Sequence, residues 1–278
     1  MNIINAILLG AIQGLTELIP VSSSGHLVLF QKIFGVSEPA LFFDTMVHAG
    51  TLAAVVVVLW KDIWAILKKL NQPLTLYLII ATVPAVFAAL AFRKPLEAAF
   101  ETGGFLGFAF LATSALLVIA ELLAKRAGSM PGKKAGEMNW LDSLIIGIMQ
   151  AVAIIPGVSR SGATLSGALS RRLDRDFAAR FSFLLSIPAI LGALVLQFAK
   201  LAKGGAADGG TAVGGIAIDG IGAAAIIAGT VTAAVVGFFA VRLMLKIVRE
   251  KTLWGFAIYT GVLGLLVLLD QFAVHLVF

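Results

Sequence analysis

"TELIPVSSSGHLVLF", Thr16 to Phe30, interrupts the first apolar stretch of a chain otherwise built like a membrane protein. A carboxylate, three serines and an imidazole fall between Glu17 and His26, where side chains suited to hydrocarbon would be expected. A second interruption, "IIPGVSRSGATLSGAL", runs from Ile154 to Leu169. Each break carries a proline, a serine cluster and Ser-Gly, and each leads into a short apolar segment. The fold turns on whether these breaks lie at a membrane surface or at membrane depth.

Composition sets the class. Of 278 residues, 60% are hydrophobic and 13% charged, with a mean hydropathy of +1.02. A soluble domain carries about 25% charged residues. Runs such as "GTLAAVVVVLW" and "GVLGLLVLLDQFAVHLVF" are continuous, not alternating, which indicates a polytopic all-α membrane protein and argues against a barrel. The chain has no cysteine, so disulfides and thiolate metal sites are excluded. The net charge of +6 does not indicate nucleic acid, because the basic residues flank apolar segments instead of forming a patch with interleaved aromatics. The N-terminus, "MNIINAILLGAIQGLTE", lacks the positive start and small-residue cleavage site of a signal peptide and reads as retained.

Ten hydrophobic segments are predicted, near 3–19, 24–35, 41–60, 74–92, 103–124, 140–155, 161–171, 178–199, 215–243 and 253–277. Segments 24–35 and 161–171 are too short to cross a hydrocarbon core about 30 Å thick, which takes about 20 helical residues. They read as the returning limbs of re-entrant hairpins. The two sides of the chain also echo each other. "LLGAIQGLTELIPVSSSGH" pairs with "IIGIMQAVAIIPGVSRSGA", and "LIIATVPAVFAALAF" resembles "AIIAGTVTAAVVGFFAV". We therefore expect one membrane domain made of a first repeat, 1–125, a cytoplasmic linker, 126–139, and a second, inverted repeat, 140–278. Each repeat would hold one re-entrant pair and three transmembrane helices.

Charge tests that topology. With the N-terminus outside, fifteen lysines and arginines fall inside, against Arg93, Lys94, Lys200 and Lys203 outside. Such a bias satisfies the positive-inside rule. Trp60, Trp64, Trp140 and Trp254 then lie near the inner interface, and "KGGAADGGTAVGGIAIDG" becomes a flexible external loop. If both short pairs re-enter from opposite sides, their breaks meet near the midplane. Irregular backbone is tolerated there only where it lines a polar cavity, and broken helices aim free N–H groups into it, favouring an anion.

Glu17 follows Gln13 by four residues, so both side chains share one helix face. A carboxylate within the membrane is costly and points to function. Arg160 stands between Ser159 and Ser161 after Pro-Gly, where its planar fork suits two phosphate oxygens. His26 is placed to take a proton from a serine or a water. His48 and Asp44, in "FFDTMVHAG", are candidates for a surrounding shell, and His275 reads as inert.

"QGLTELIPVSSSGH" and "PGVSRSGAT" closely resemble the two signature motifs of the undecaprenyl-diphosphate phosphatase family, the bacitracin-resistance type of bacterial membrane phosphatase. The first motif falls on Gln13, Glu17, Ser22, Ser23, Ser24 and His26, with Gln13 as a permitted variant of Glu. The second falls on Pro156, Gly157, Ser159, Arg160, Ser161 and Thr164. The resemblance implies hydrolysis of a C55 polyprenyl diphosphate on the outer side of the bacterial plasma membrane, which recycles the lipid carrier of cell-wall synthesis. It implies catalysis by Glu17, Ser23, His26 and Arg160, with substrate contacts from Gln13, Ser22, Ser24, Gly157, Ser159, Ser161 and Thr164. Ser23 would attack phosphorus or orient the water that does. Glu17 would orient His26 or hold a divalent cation, Mg2+ or Ca2+. The expected partners are the lipid substrate and the membrane, not nucleic acid, and a homodimer is compatible with this reading. The rival is an inverted-repeat transporter or flippase for a phosphorylated lipid or anion. Transport needs only a clamp and two access states, whereas hydrolysis also needs the nucleophile and base that Ser23, His26 and Glu17 offer.

Overall fold

The computed structural model describes residues 1–36, 41–92, 104–126, 131–204, 212–213, 216–217 and 222–278. Apart from the two-residue strands Ala212–Val213 and Ile216–Ala217, which pair antiparallel, the regular structure among them is helical.

Helix α1, Ile3–Thr16, starts at Asn2, whose side chain accepts from the Asn5 N–H at 2.7 Å. Helix α2, Ser23–Ile33, follows directly after the first break. The 41–60 segment, expected as one crossing, divides into α3, Leu41–Val58, and α4, Trp60–Lys68, at a bend of 75°. The bend has a reason in the sequence: past Leu59 the charged residues Lys61, Asp62, Lys68 and Lys69 replace the apolar run. In α4 the rings of Trp60 and Trp64 stack at 5.6 Å while Asp62 pairs with Arg180 at 3.0 Å. Helix α5, Pro73–Ala91, opens on a proline, whose missing N–H costs nothing in a first turn. Helix α6, Leu106–Arg126, completes the first half.

The second half holds α7, Trp140–Val152, α8, Arg160–Ser170, α9, Arg175–Gly204, α10, Ala223–Glu250, and α11, Trp254–Leu269. Helix α7 begins with a reciprocal cap between Asn139 and Asp142. Within the linker the Lys133 N–H donates to the Arg172 carbonyl at 2.7 Å, and Lys133 and Arg171 both pair with fully buried Asp142. Most of the glycine-rich loop expected at 203–220, and linker residues 127–130, lie outside the described residues.

Five described helices are long and apolar enough to cross a membrane, and the bent α3–α4 pair makes up to six. Their outward faces are strongly apolar; α5 exposes Ile79, Val83, Phe87 and Leu90 by more than half. The chain is thus an all-helical protein of polytopic membrane type. Helices α1, α2, α7 and α8 have 14, 11, 13 and 11 residues, or about 16–21 Å at 1.5 Å per residue.

The halves pack reciprocally. Helix α1 lies on α10, and α7 lies on α5. At the first crossing a Cβ on Gly10 would run into the backbone of Gly229; at the second, a Cβ on Gly147 would meet the Ala81 carbonyl oxygen at 2.7 Å. Gly10 and Gly147 each stand three residues before a glutamine, Gln13 and Gln150, and only glycine permits so close an approach.

Candidate active site

Helix α1 ends at Thr16, and Glu17 is its last cap. One turn earlier, Gln13 Nε2 donates to Glu17 Oε2 at 3.0 Å, so the four-residue spacing brings both side chains together. The chain then reverses. Ser22 takes φ +74°, a conformation that costs a residue with a Cβ on the order of 1–3 kcal/mol. From there its side chain caps α2 by accepting from the Gly25 N–H at 3.2 Å.

The second break also uses one positive-φ residue, two positions before its cap, and Ser159 itself is extended at φ −70°. Gly157 supplies the positive φ of +82°, with Ala109 so close that a Cβ would clash. Ser159 caps α8 by accepting from the Gly162 N–H at 3.0 Å. Ser23 and Arg160 are therefore the first residues of two helices that start alike.

Both reach one carboxylate. Arg160 Nη2 donates to Glu17 Oε1 at 2.6 Å, and Ser23 Oγ donates to Glu17 Oε2. The breaks also touch directly, through Ser161 Oγ donating to the Ile19 carbonyl at 3.1 Å. Ser23 and Arg160 are the first residues of α2 and α8, and the free N–H groups of such helix starts favour an anion. Glu17 is 7% exposed and the Arg160 side chain 19% exposed, so their attraction is little screened by solvent.

The remaining expected residues take various places. Ser159 Oγ lies 3.3 Å from Ser161 Oγ, and the Ser159 N–H donates to Thr113 Oγ1 at 3.0 Å. Thr164 sits under the clamp: its Oγ1 donates to the Arg160 carbonyl at 2.9 Å and meets Ser182 Oγ at 2.6 Å. Ser24 is half-buried beside Ser23. His26 does not turn to Ser23 here. Its Nδ1 lies 2.6 Å from the Ser22 carbonyl oxygen and its Nε2 2.7 Å from the Tyr259 hydroxyl, with the ring edge-on to Phe110.

His48 lies closer to the carboxylate than its place in the sequence suggests. Its Nε2 is 3.6 Å from Glu17 Oε2, and its Nδ1 is held by the Asp44 carbonyl at 2.7 Å. Asp44 Oδ1 in turn accepts from Gln31 at 2.8 Å. Tyr259, Thr113 and Ser182 escape the sequence reading because each meets the site from a distant helix. Tyr259 carried one signal, being one of only two tyrosines in the chain.

Among the described residues no three His, Asp or Glu side chains form a metal cage. The donors that are present still fit a hard cation shared with a diphosphate, since Mg2+ commonly takes one or two carboxylates plus phosphate oxygens. Glu17 supplies the carboxylate, and the buried Gln13 Oε1 is a neutral oxygen without a hydrogen-bond partner. Chemically, the junction offers a hydroxyl on a carboxylate, a guanidinium beside it and two helix N-termini, the parts needed to hold and attack a phosphoryl group.

The sequence profile described as bacitracin resistance protein BacA matches residues 6–266. The chain is 43% identical over 273 residues to the undecaprenyl-diphosphatase of Carboxydothermus hydrogenoformans, covering 98% of this chain and 99% of that one. It is 42% identical over 272 residues to undecaprenyl-diphosphatase 4 of Bacillus thuringiensis subsp. konkukian, with 98% of each chain covered. The undecaprenyl-diphosphatase of Halothermothrix orenii is 36% identical over 271 residues, covering 97% of this chain and 98% of its own.

Proposed function

We propose, from the premise that the chain belongs to the bacitracin resistance protein BacA family, that it hydrolyses undecaprenyl diphosphate to undecaprenyl phosphate and inorganic phosphate. The observation that carries this is the meeting of Ser23 and Arg160, from equivalent helix starts in the two halves, on the one carboxylate of Glu17. A transporter needs only the clamp; a serine whose proton already points at a carboxylate favours the enzyme.

In this reading Arg160 and the N–H groups at the starts of α2 and α8 bind the terminal phosphate and stabilise the charge that develops on it. Ser23 Oγ attacks the terminal phosphorus, the bond to the bridging oxygen breaks, and undecaprenyl phosphate leaves. The Ser23 proton passes to Glu17. Water then attacks the phosphoserine, giving its proton to His26, which follows Ser23 by three positions in α2. The Ser23 oxygen leaves phosphorus and recovers its proton from Glu17. Glu17 and Gln13 are the residues that would hold a divalent cation, which when bound would neutralise diphosphate charge. Ser22 and Ser159 set the two helix starts, Gly157 allows the second turn, and Ser161 and Thr164 support the clamp.

The four short helices are taken as two re-entrant pairs in inverted repeats, one per half. The reciprocal glycine crossings and matching serine caps support that reading. The site would open to the outer face of the plasma membrane, where the lipid tail can stay in the bilayer while the diphosphate reaches Glu17. The test is phosphate release from undecaprenyl diphosphate by purified protein, with and without chelator. Release that chelator suppresses is expected, and no release from folded protein would refute the activity.

A further inference from the structure

Tyr259 has no part in the mechanism above. It lies on α11, 233 positions from His26 in the chain, yet its hydroxyl is 2.7 Å from His26 Nε2 and the two rings stack at 5.7 Å with only 13° between their planes. The other ring nitrogen, Nδ1, is 2.6 Å from the carbonyl oxygen of Ser22. A carbonyl can only accept, so Nδ1 carries the hydrogen and the lone pair of the neutral ring lies on Nε2. The Tyr259 hydroxyl must then be the donor to Nε2. The imidazole is held on a third side by Phe110, edge-on at 5.2 Å.

This arrangement constrains how His26 can act. Nε2 is the only atom of the ring able to take a proton, and its lone pair is already directed at Tyr259. We infer that Tyr259 is a relay, the hydroxyl through which His26 takes the proton of the attacking water. This rests on the proposed phosphoserine route. In the second half of the reaction the water oxygen bonds to phosphorus while its proton moves to the Tyr259 oxygen. The Tyr259 hydrogen moves at the same time to Nε2. The Ser23 oxygen leaves phosphorus and takes back the proton held by Glu17. Tyrosine ends as it began and Glu17 is again a carboxylate; the imidazolium then gives its proton to the departing phosphate, which resets His26.

A tyrosine hydroxyl suits this, since its oxygen can accept one hydrogen bond while donating another. Tyr259 is 47% exposed, so changing it opens no cavity in the core.

The test is Tyr259→Phe, which keeps the ring that stacks on His26 and removes only the hydroxyl. General acid–base partners contribute roughly 100- to 10,000-fold, and His26 itself is retained, so the expected loss lies below that range, about 10- to 100-fold in kcat, with KM falling alongside it because the second step becomes rate-limiting. Because the relay serves the second step only, phosphate from terminally labelled undecaprenyl diphosphate should accumulate on Ser23 in acid-quenched samples, above the wild-type level. A purely structural role for Tyr259 gives no such accumulation. Unchanged kcat, or a slower enzyme without added label, would overturn the inference. Full turnover in Ser23→Ala would instead show that the phosphoserine reading itself is wrong, and the relay would fall with it.

Discussion

Replacing Arg160 by lysine is the most informative single change at the clamp. Arg160→Ala is a poor probe, because Glu17 is 7% exposed and would be left as an unpaired buried charge. Removing one partner of a buried pair costs about 3–5 kcal/mol of stability, so lost activity and lost folding would be confounded. Lysine keeps the positive charge beside Glu17 and isolates what the guanidinium fork adds. Arg160 spends one nitrogen, Nη2, on Glu17 Oε1 at 2.6 Å, which leaves its other N–H groups for phosphate oxygens. A lysine has one nitrogen at a shorter reach and must divide it between carboxylate and phosphate. Losing one hydrogen bond to a charged group costs about 1.5–3 kcal/mol. At 1.36 kcal/mol per tenfold in rate, that is a fall of about 10- to 150-fold in kcat/KM. The assay is phosphate release from undecaprenyl diphosphate in liposomes, with thermal unfolding in detergent measured alongside. An unfolding midpoint near wild type together with turnover within threefold of wild type would refute the clamp.

Other outcomes follow from the packing and the donors. Gly147→Val and Gly10→Val should each destabilise the protein by at least about 1–3 kcal/mol, since each drives a side chain into the backbone of the facing helix; an unchanged unfolding midpoint in either would contradict that crossing. Gln13→Glu should lower the Mg2+ concentration needed for half-maximal activity and Gln13→Leu should raise it, whereas identical cation dependence in both would remove Gln13 from the cation. A lone cysteine in place of Gly136 should react with an impermeant thiol reagent only from inside, and one in place of Asp208 only from outside; the reverse pattern would invert the orientation.

Much of the architecture was legible because membrane folding leaves few choices for a chain this apolar. The two Pro-Ser-Gly breaks, the short segments behind them and the paired Gly-x-x-Gln motifs all follow from local sequence. The structure ends α1 at Glu17 and starts α2 and α8 at Ser23 and Arg160. That the two breaks meet was also within reach, because a carboxylate and a guanidinium in matching apolar motifs need each other. The bend at Leu59 was harder, since Trp60 and Trp64 extend the apolar run and mask the change to an amphipathic helix. His26 shows the limit. Its spacing from Ser23 suggests a direct pair, but both its nitrogens are claimed by the Ser22 carbonyl and by Tyr259, on a helix no local pattern links to it. The approach of His48 to Glu17 is likewise a product of how α3 packs beside α1, and the spacing of the two residues in the chain does not encode it.

In the proposed reaction Ser23 and Arg160, one from each half of the chain, act on a single phosphorus. The direct measurement is to react purified protein with undecaprenyl diphosphate labelled in its terminal phosphate, quench in acid and map the label. Labelled phosphate is expected on Ser23 in the wild type, with both label and turnover lost in Ser23→Ala. Full turnover by Ser23→Ala, or label on another residue in the wild type, would contradict it.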